Sequence, residues 1–265
     1  MIINILFIGD IVGQPGMEML KTWLPLLLKK YSPDITIVNG ENASDGKGCR
    51  KEEGEVLLGL GADVITGGNH TWETFQSQAY LKEEPRSLRP HNYPQGTYGS
   101  GLYIAETKKG KVAVLNLQGR SYMQPIDCPF RAADWAIKKI NSETKVVFID
   151  FHAEATAEKL ALANYLDGKV TAIAGTHTHI QTADERIFPK GTAYITDVGM
   201  TGPYDSVIGM KTDAAINRFL YQTPQKYQTA TEQVHLCAVF IKADSQTGKA
   251  VEIERILLPE FERKI

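Results

Sequence analysis

Two histidines follow a short apolar segment at the point where a predicted strand ends. The segment AIAGTHTHIQT (172–182) places His177 and His179 two residues apart. In an extended backbone, residues two apart face the same side of the chain. We therefore predict that both imidazoles face one pocket, an arrangement suited to binding metal. For this pair alone, a loop whose polar side chains bond to backbone is an equal alternative.

Side chains of similar chemistry follow four other predicted strands. FIGD offers Asp10, NGEN offers Glu41 and Asn42, GGNH offers Asn69 and His70, and DFHAE offers His152. A single Asp or Asn after a strand is usually a turn former or a helix cap. Sites in open α/β sheets, however, form beyond the carboxyl ends of the strands. Recurrence at five strand ends therefore favours one metal site built from all of them.

The chemistry of these donors narrows what the site would do. Carboxylates, amide oxygens and imidazoles without a thiolate suit manganese, iron or zinc better than Cu(I) or a structural zinc. Two such ions ~3.5–4 Å apart, bridged by a carboxylate and a hydroxide, form a site for in-line displacement at phosphorus. One histidine outside the metal shell then protonates the leaving oxygen.

Strands that alternate with helices are needed to bring these residues together, and the sequence predicts them. Strands are predicted at 3–9, 34–40, 62–68, 111–119, 146–151, 170–175 and 192–199, and helices at 16–31, 52–60, 71–82, 129–140 and 155–167. The segments 236–244 and 250–258, joined by a short turn, predict an antiparallel hairpin. We predict α/β layering with a mixed or second sheet, in one domain over residues 1–265.

Composition excludes several classes of protein. The chain has 265 residues, is 43% hydrophobic and carries a net charge of -2, so no overall field favours long nucleic acid or acidic membranes. Its three cysteines are far apart and indicate a reducing, cytoplasmic compartment. The apolar start lacks a preceding basic residue and is interrupted by Asp10, so it predicts a first buried strand and not a signal peptide. No apolar stretch is long enough to predict a transmembrane helix.

Several motifs together resemble a known family. GENA, GNHTW, NLQGR (116–120), FIDFHAEATAEK (148–159), GTHTHIQTAD (175–184) and ITDVGMTGPYD (195–205) are similar to the bacterial YmdB family of calcineurin-like metallophosphoesterases. The resemblance implies a four-layered αββα sandwich, in which two mixed β-sheets are flanked by helices, with a centre of two divalent metal ions. It also implies a phosphodiesterase that hydrolyses small phosphodiesters, with 2',3'- or 3',5'-cyclic nucleotides as the expected substrates.

The motif positions assign a role to each residue by resemblance. One metal ion is expected on Asp10, Glu41, Asn42 and His179, and the other on Glu41, Asn69, His152 and His177. Glu41 would bridge the two ions, and His70 would be the general acid. In the wider superfamily a histidine follows the first aspartate by two residues, but here Val12 occupies that position after Asp10. GEN also replaces the usual GDxxD. These departures are typical of the YmdB group and leave iron or manganese expected, with zinc as a third candidate.

Other functions fit the sequence less well or stay open. GDIVGQPG does not have the spacing of a dinucleotide-binding GxGxxG, GKGC lacks a P-loop ending, and no GxSxG elbow occurs. A metal-holding regulatory protein with little turnover and a phosphomonoesterase or nucleotidase both stay open, as does a homo-oligomer. His91, in the ordered loop expected at 84–101, and Arg120 are candidates for bordering the substrate, with purely structural roles as the alternative.

Overall fold

Two mixed β-sheets form the centre of the computed structural model, which describes residues 1–261. The first sheet comprises β1 (Ile2–Ile8), β2 (Asp10–Ile11), β3 (Ile35–Asn39), β4 (Val64–Thr66), β11 (Met200–Pro203), β12 (Val234–Asp244) and β13 (Ala250–Leu258). The second comprises β5 (Leu102–Thr107), β6 (Gly110–Gln118), β7 (Val147–His152), β8 (Ala172–Thr176), β9 (Arg186–Ile187) and β10 (Ala193–Ile195).

The order of the strands places several parallel strands side by side in each sheet. In the first sheet, β1, β3 and β4 are neighbours and run parallel, and β12 pairs antiparallel with β1 and β13. In the second sheet, β6, β7, β8 and β10 run parallel, between the antiparallel edge strands β5 and β9. The predicted C-terminal hairpin is therefore confirmed, and it belongs to a mixed sheet.

Six α-helices lie among the residues that the structure describes. They are α1 (Gly13–Tyr31), α2 (Lys51–Gly59), α3 (Phe75–Glu83), α4 (Pro129–Ile140), α5 (Thr156–Leu166) and α6 (Thr212–Tyr221). A short 3-10 helix, Asn69–Trp72, precedes α3. None of the helices described is both long enough and apolar enough to cross a membrane.

Apolar side chains fill the space between successive layers. Between the two sheets, the rings of Phe7 and Phe148 lie 4.9 Å apart and are fully buried. On the outer face of the first sheet, Leu20 and Leu24 of α1 belong to a second buried cluster. On the outer face of the second sheet, a third cluster includes residues of α4 and α5. The layers therefore follow the order α, β, β, α, which confirms the predicted architecture.

Two segments differ from their predicted elements for local reasons. The helix predicted at 71–82 is divided, because the Thr74 side chain accepts a hydrogen bond from the Ser77 backbone and caps a new helix, α3. The strand predicted at 192–199 ends at Ile195. After a turn, the chain continues as β11, which belongs to the other sheet. This crossing brings the ends of the two sheets together at one place.

Candidate metal centre

The carboxyl ends of five strands meet at the edge where the two sheets adjoin. Parallel neighbours end at the same side of a sheet, so β1, β3 and β4 present their last residues beside those of β7 and β8. Hydrogen-bond distances and close approaches link all seven side chains that the sequence proposes as ligands. These seven side chains, called the donor group below, are Asp10, Glu41, Asn42, Asn69, His152, His177 and His179.

His152 lies at the middle of one half of this group. Its Nε2 atom is 3.1 Å from Oε1 of Glu41, 2.9 Å from Oδ1 of Asn69 and 3.0 Å from Nδ1 of His177. One ligand atom from each of Glu41, His152 and His177 lies within 4.8 Å of the others. Four donors that converge on so small a volume have the geometry of a metal site.

The other half of the group is built around His179. Its Nε2 atom lies 3.3 Å from Nδ2 of Asn42 and 3.9 Å from Oδ2 of Asp10. The same amide nitrogen of Asn42 is 2.9 Å from Oε1 of Glu41, so Glu41 is shared by both halves. As a metal ligand, Asn42 would present its oxygen, which a half-turn of the amide group brings to the position of the nitrogen.

Residues outside the group hold the buried ring of His152. Its Nδ1 atom lies 2.9 Å from the hydroxyl of Thr176, which donates a 2.7 Å hydrogen bond to Oδ1 of Asp150. Asp150 is fully buried and is also bonded by Asn39 and Thr66. This chain fixes the orientation of the ring and directs Nε2 into the group, as outer partners of metal-binding histidines commonly do.

The two histidines of THTH are oriented in the same manner by other partners. Nε2 of His177 lies 3.1 Å from Oε2 of Glu154, which leaves Nδ1 facing His152. Nδ1 of His179 lies 2.8 Å from the carbonyl oxygen of Ile208, which leaves Nε2 facing Asp10. Glu154 lies two residues after His152 in DFHAE, but the sequence did not indicate its role.

The backbone of THTH is not extended, which corrects the reason given for the pair. Strand β8 ends at Thr176, and His177 and His179 then adopt positive φ angles of 103° and 66°. Such angles are uncommon for residues other than glycine and are maintained only when the surroundings impose them. Both imidazoles do face one group of donors, but a tight turn directs them there.

A buried ion pair holds this turn in place. The Nζ atom of Lys159 lies 2.8 Å from Oδ2 of Asp197, and both side chains are almost fully buried. The same oxygen accepts a 3.0 Å hydrogen bond from the backbone of Thr178, and Oδ1 accepts one from Gly199. Asp197 is therefore anchored by Lys159 and fixes the residue that lies between the two histidines.

Burial and mutual attraction set the charges of these side chains. Burial disfavours the ionised form of Asp10 and raises its pKa well above the ordinary value. Burial also opposes ionisation of Glu41, but attraction to His152 outweighs it, so the pKa of Glu41 is lowered. Burial likewise opposes the charge of His152, but attraction to Glu41 opposes this effect and is stronger, so the pKa of His152 is raised to about 9. Burial and repulsion by His152 lower the pKa of His177 to about 3.

Two observations test whether the donors fit a cation. Oδ1 of Asp10 is buried and makes no hydrogen bond with the residues described, although a buried carboxylate oxygen normally has a partner. A Cβ atom at Gly68 would collide with Oε2 of Glu41 and with the His152 ring, so only glycine lets the backbone pass so close. An unsatisfied carboxylate oxygen in a set of hard and borderline donors fits divalent metal ions.

His70 borders the group without belonging to it. Its backbone donates a 3.0 Å hydrogen bond to Oε2 of Glu41, while its half-buried side chain points elsewhere. The Nδ1 atom of the ring is 2.6 Å from Oε1 of Glu73, so this carboxylate orients the imidazole. Glu73 is a second residue whose place the sequence did not indicate.

The two remaining candidates lie outside the donor group. His91 stacks on Trp135 at 5.5 Å between ring centroids and lines a separate pocket. Arg120 is exposed, and its backbone donates hydrogen bonds to the carboxylate of Glu158. The bordering role expected for these two residues stays a prediction.

An αββα sandwich with oxygen and imidazole donors gathered at its strand ends is the architecture of the metallophosphoesterase class. Within that class, the chain belongs to the YmdB-like protein family, whose model matches residues 6–256. It is 51% identical to a Bacillus subtilis protein named 2',3'-cyclic-nucleotide 2'-phosphodiesterase, over 96% of this chain and 97% of that protein.

Solved structures of two similar proteins agree with the fold. A Mycoplasma pneumoniae protein described as a novel phosphatase superposes with a TM-score of 0.92 at 37% identity, over 97% of this chain and 94% of that one. A hypothetical protein from Thermus thermophilus superposes with a TM-score of 0.90 at 39% identity, over 96% of this chain and 98% of that one. Nearly the whole fold is therefore shared with these relatives.

Proposed function

We propose that this protein is a metal-dependent phosphodiesterase that hydrolyses small cyclic nucleotides, with 2',3'-cyclic nucleotides as the favoured substrates. The observation that carries the proposal is the group of donors around Glu41 and His152, in which each histidine turns one ring nitrogen inward. The activity named for the Bacillus subtilis relative supports the diester as substrate and the 2' oxygen as leaving group.

The proposed ligand sets follow from the two halves of the group. Asp10, Glu41, Asn42 and His179 would hold one ion; Glu41, Asn69, His152 and His177 would hold the other. When bound, two such ions lower the pKa of water and neutralise phosphoryl charge, which is the chemistry that phosphodiester hydrolysis requires. Iron or manganese is the proposed metal, because oxygen donors outnumber imidazoles and no thiolate is present.

The protein's own residues would complete the reaction. Glu73 would accept the hydrogen bond of Nδ1 on His70, so Nε2 is the ring atom that donates a proton to the leaving oxygen when the ring is in its imidazolium form. Nε2 of His70 makes no hydrogen bond with any residue that the structure describes, which keeps it accessible to substrate. The hydrogen bond from the backbone of His70 to Glu41 would fix the position of His70, the proposed general acid, relative to the donor group.

A substrate panel with the wild-type protein and His70→Gln tests the proposal. We expect the wild type to hydrolyse 2',3'-cyclic AMP far faster than 2'-AMP or 3'-AMP. In His70→Gln, kcat for the cyclic substrate should fall by about 10²–10⁴-fold, the usual contribution of a general acid, because glutamine cannot donate the proton. The metal content measured by plasma mass spectrometry should be unchanged.

Other outcomes of this panel have clear meanings. Faster turnover of the monoesters would make the protein a phosphomonoesterase and contradict the proposal. Loss of metal in His70→Gln would mean that His70 is a ligand. If wild-type protein that holds two ions per chain hydrolyses none of the three compounds, the regulatory alternative replaces the enzymatic one.

A further inference from the structure

A pocket separate from the donor group lies beside it and is lined in part by the loop 84–101. Its volume is about 580 Å³, within the range of small-molecule sites. Three aromatic residues line it, His91, Tyr93 and Trp135, together with Arg131 and Asp127. Neither Arg131 nor Asp127 makes an ion pair with a residue that the structure describes.

This pocket is joined to the donor group through the end of strand β6. Gln118, the last residue of β6, is the registered partner of His152 on β7, and adjacent strands lie ~4.8 Å apart. Asn92 of the pocket exchanges hydrogen bonds of 2.8 and 2.9 Å with the backbone of Gln118. The pocket therefore begins about one side chain away from the proposed metal ligands.

Tyr93 forms the wall between the two sites. Its hydroxyl lies 3.3 Å from Oε1 of Gln118, and its ring lies 5.3 Å from the ring of Trp72, two residues after His70. Tyr93 thus contacts the pocket on one side and residues that adjoin the donor group on the other.

A buried hydrogen-bond donor at this wall lacks an acceptor. Gln118 is fully buried, and its Nε2 atom has no hydrogen-bond partner among the residues described. Unsatisfied buried donors are costly unless a ligand or water satisfies them, so they mark a place built to accept an external oxygen.

From this arrangement we infer that the pocket binds the base of the nucleotide whose phosphate lies at the donor group. The inference rests on the function proposed above and names the specificity-determining residues for it. Flat aromatic rings and arginine planes bind the π-faces of bases, and a carboxylate accepts hydrogen bonds from base amino groups. The ribose would lie between the two sites, where Nε2 of Gln118 offers a hydrogen-bond donor to its oxygens.

Trp135→Ala tests the inference, because Trp135 is half-exposed on α4 and its removal leaves the core intact. We expect kcat/KM for 2',3'-cyclic AMP to fall about tenfold, the size of one lost base contact. For methyl riboside 2',3'-cyclic phosphate, which has the same diester and no base, kcat/KM should change less than about twofold. Equal losses with both substrates, or no loss with either, would overturn the inference.

The matched control is Tyr165→Ala. Tyr165 is also a half-exposed aromatic residue on a helix, and each of the two rings has a lysine above it, Lys139 for Trp135 and Lys169 for Tyr165. It does not line the pocket, so both substrates should keep the wild-type kcat/KM. If Tyr165→Ala also lowered kcat/KM for 2',3'-cyclic AMP and not for the base-free substrate, the assignment of the base to the pocket would be overturned.

Failure of the proposed function would be seen separately, as a wild type that hydrolyses neither substrate. The pocket would then be tested by calorimetric binding of 3'-AMP and of methyl riboside 3'-phosphate. Tighter binding of 3'-AMP that Trp135→Ala removes would support the base site. Equal affinities for the two ligands would overturn it.

Discussion

Asp10→Asn should reduce kcat/KM for the cyclic diester by about a thousandfold while leaving the metal-free protein at least as stable as the wild type. The loss follows because a metal contributes several kcal/mol to the transition state. The unchanged stability follows because burial already disfavours the Asp10 charge and Oδ1 has no hydrogen-bond partner among the described residues. With chelator present, we expect a free energy of unfolding equal to that of the wild type, or up to about 2 kcal/mol higher.

Kinetic assays with 2',3'-cyclic AMP and urea denaturation with chelator measure the two effects, and metal analysis without chelator measures the occupancy of the site. Asp184→Asn is the control, since its carboxylate accepts hydrogen bonds from the side chains of Thr182 and Thr196 and lies outside the donor group. Burial opposes ionisation of Asp184, but these bonds outweigh it and lower its pKa, so Asp184→Asn should lose stability and keep its metal. An Asp10→Asn protein that is destabilised without metal, yet retains its metal when loaded, would mean that Asp10 is structural.

Lys159→Met should destabilise the protein by about 3–5 kcal/mol, the usual cost of removing one partner of a buried ion pair. Asp197 would be left buried without its cationic partner, and the turn that holds His177 and His179 would lose its anchor. We therefore also expect the variant to lose metal at lower chelator concentration than the wild type. Chemical denaturation and a chelator titration measure the two effects.

Lys21→Met is the matched control for this prediction. Its Nζ atom also lies 2.8 Å from a carboxylate oxygen, that of Glu18, but both side chains are largely exposed. Exposed pairs contribute about 0–1 kcal/mol, so this variant should unfold almost as the wild type does. Equal stability losses in the two lysine variants would mean that the Lys159 pair does not anchor the turn.

The gathering of these side chains in one place was predictable because each of them lies at the end of a strand or within a few residues after it. A strand that ends in GD, GEN or GNH carries its donor to the sheet edge whatever the rest of the fold does, so Asp10, Glu41 and Asn69 could be found from local patterns. The layering was predictable for a similar reason, since alternating strands and helices allow few arrangements.

The supporting residues were not predictable, because each depends on a pairing between distant parts of the chain. Lys159 and Asp197 are 38 residues apart, and nothing local in either segment indicates that they form a buried pair. Glu154 and Glu73 lie close in sequence to proposed functional histidines, yet their roles depend on the direction in which each imidazole turns. The positive φ angles of His177 and His179 also have no local signal such as glycine.

The metal dependence of diester hydrolysis by the native protein tests the proposed function directly. The protein would be stripped with chelator, reloaded in separate samples with Mn²⁺, Fe²⁺ or Zn²⁺, and analysed for metal content and for turnover of 2',3'-cyclic AMP. We predict two ions per chain, no turnover after stripping, and recovery with manganese or iron that follows occupancy. Full turnover by stripped protein, or two bound ions without turnover of 2',3'-cyclic AMP, would contradict the proposed function.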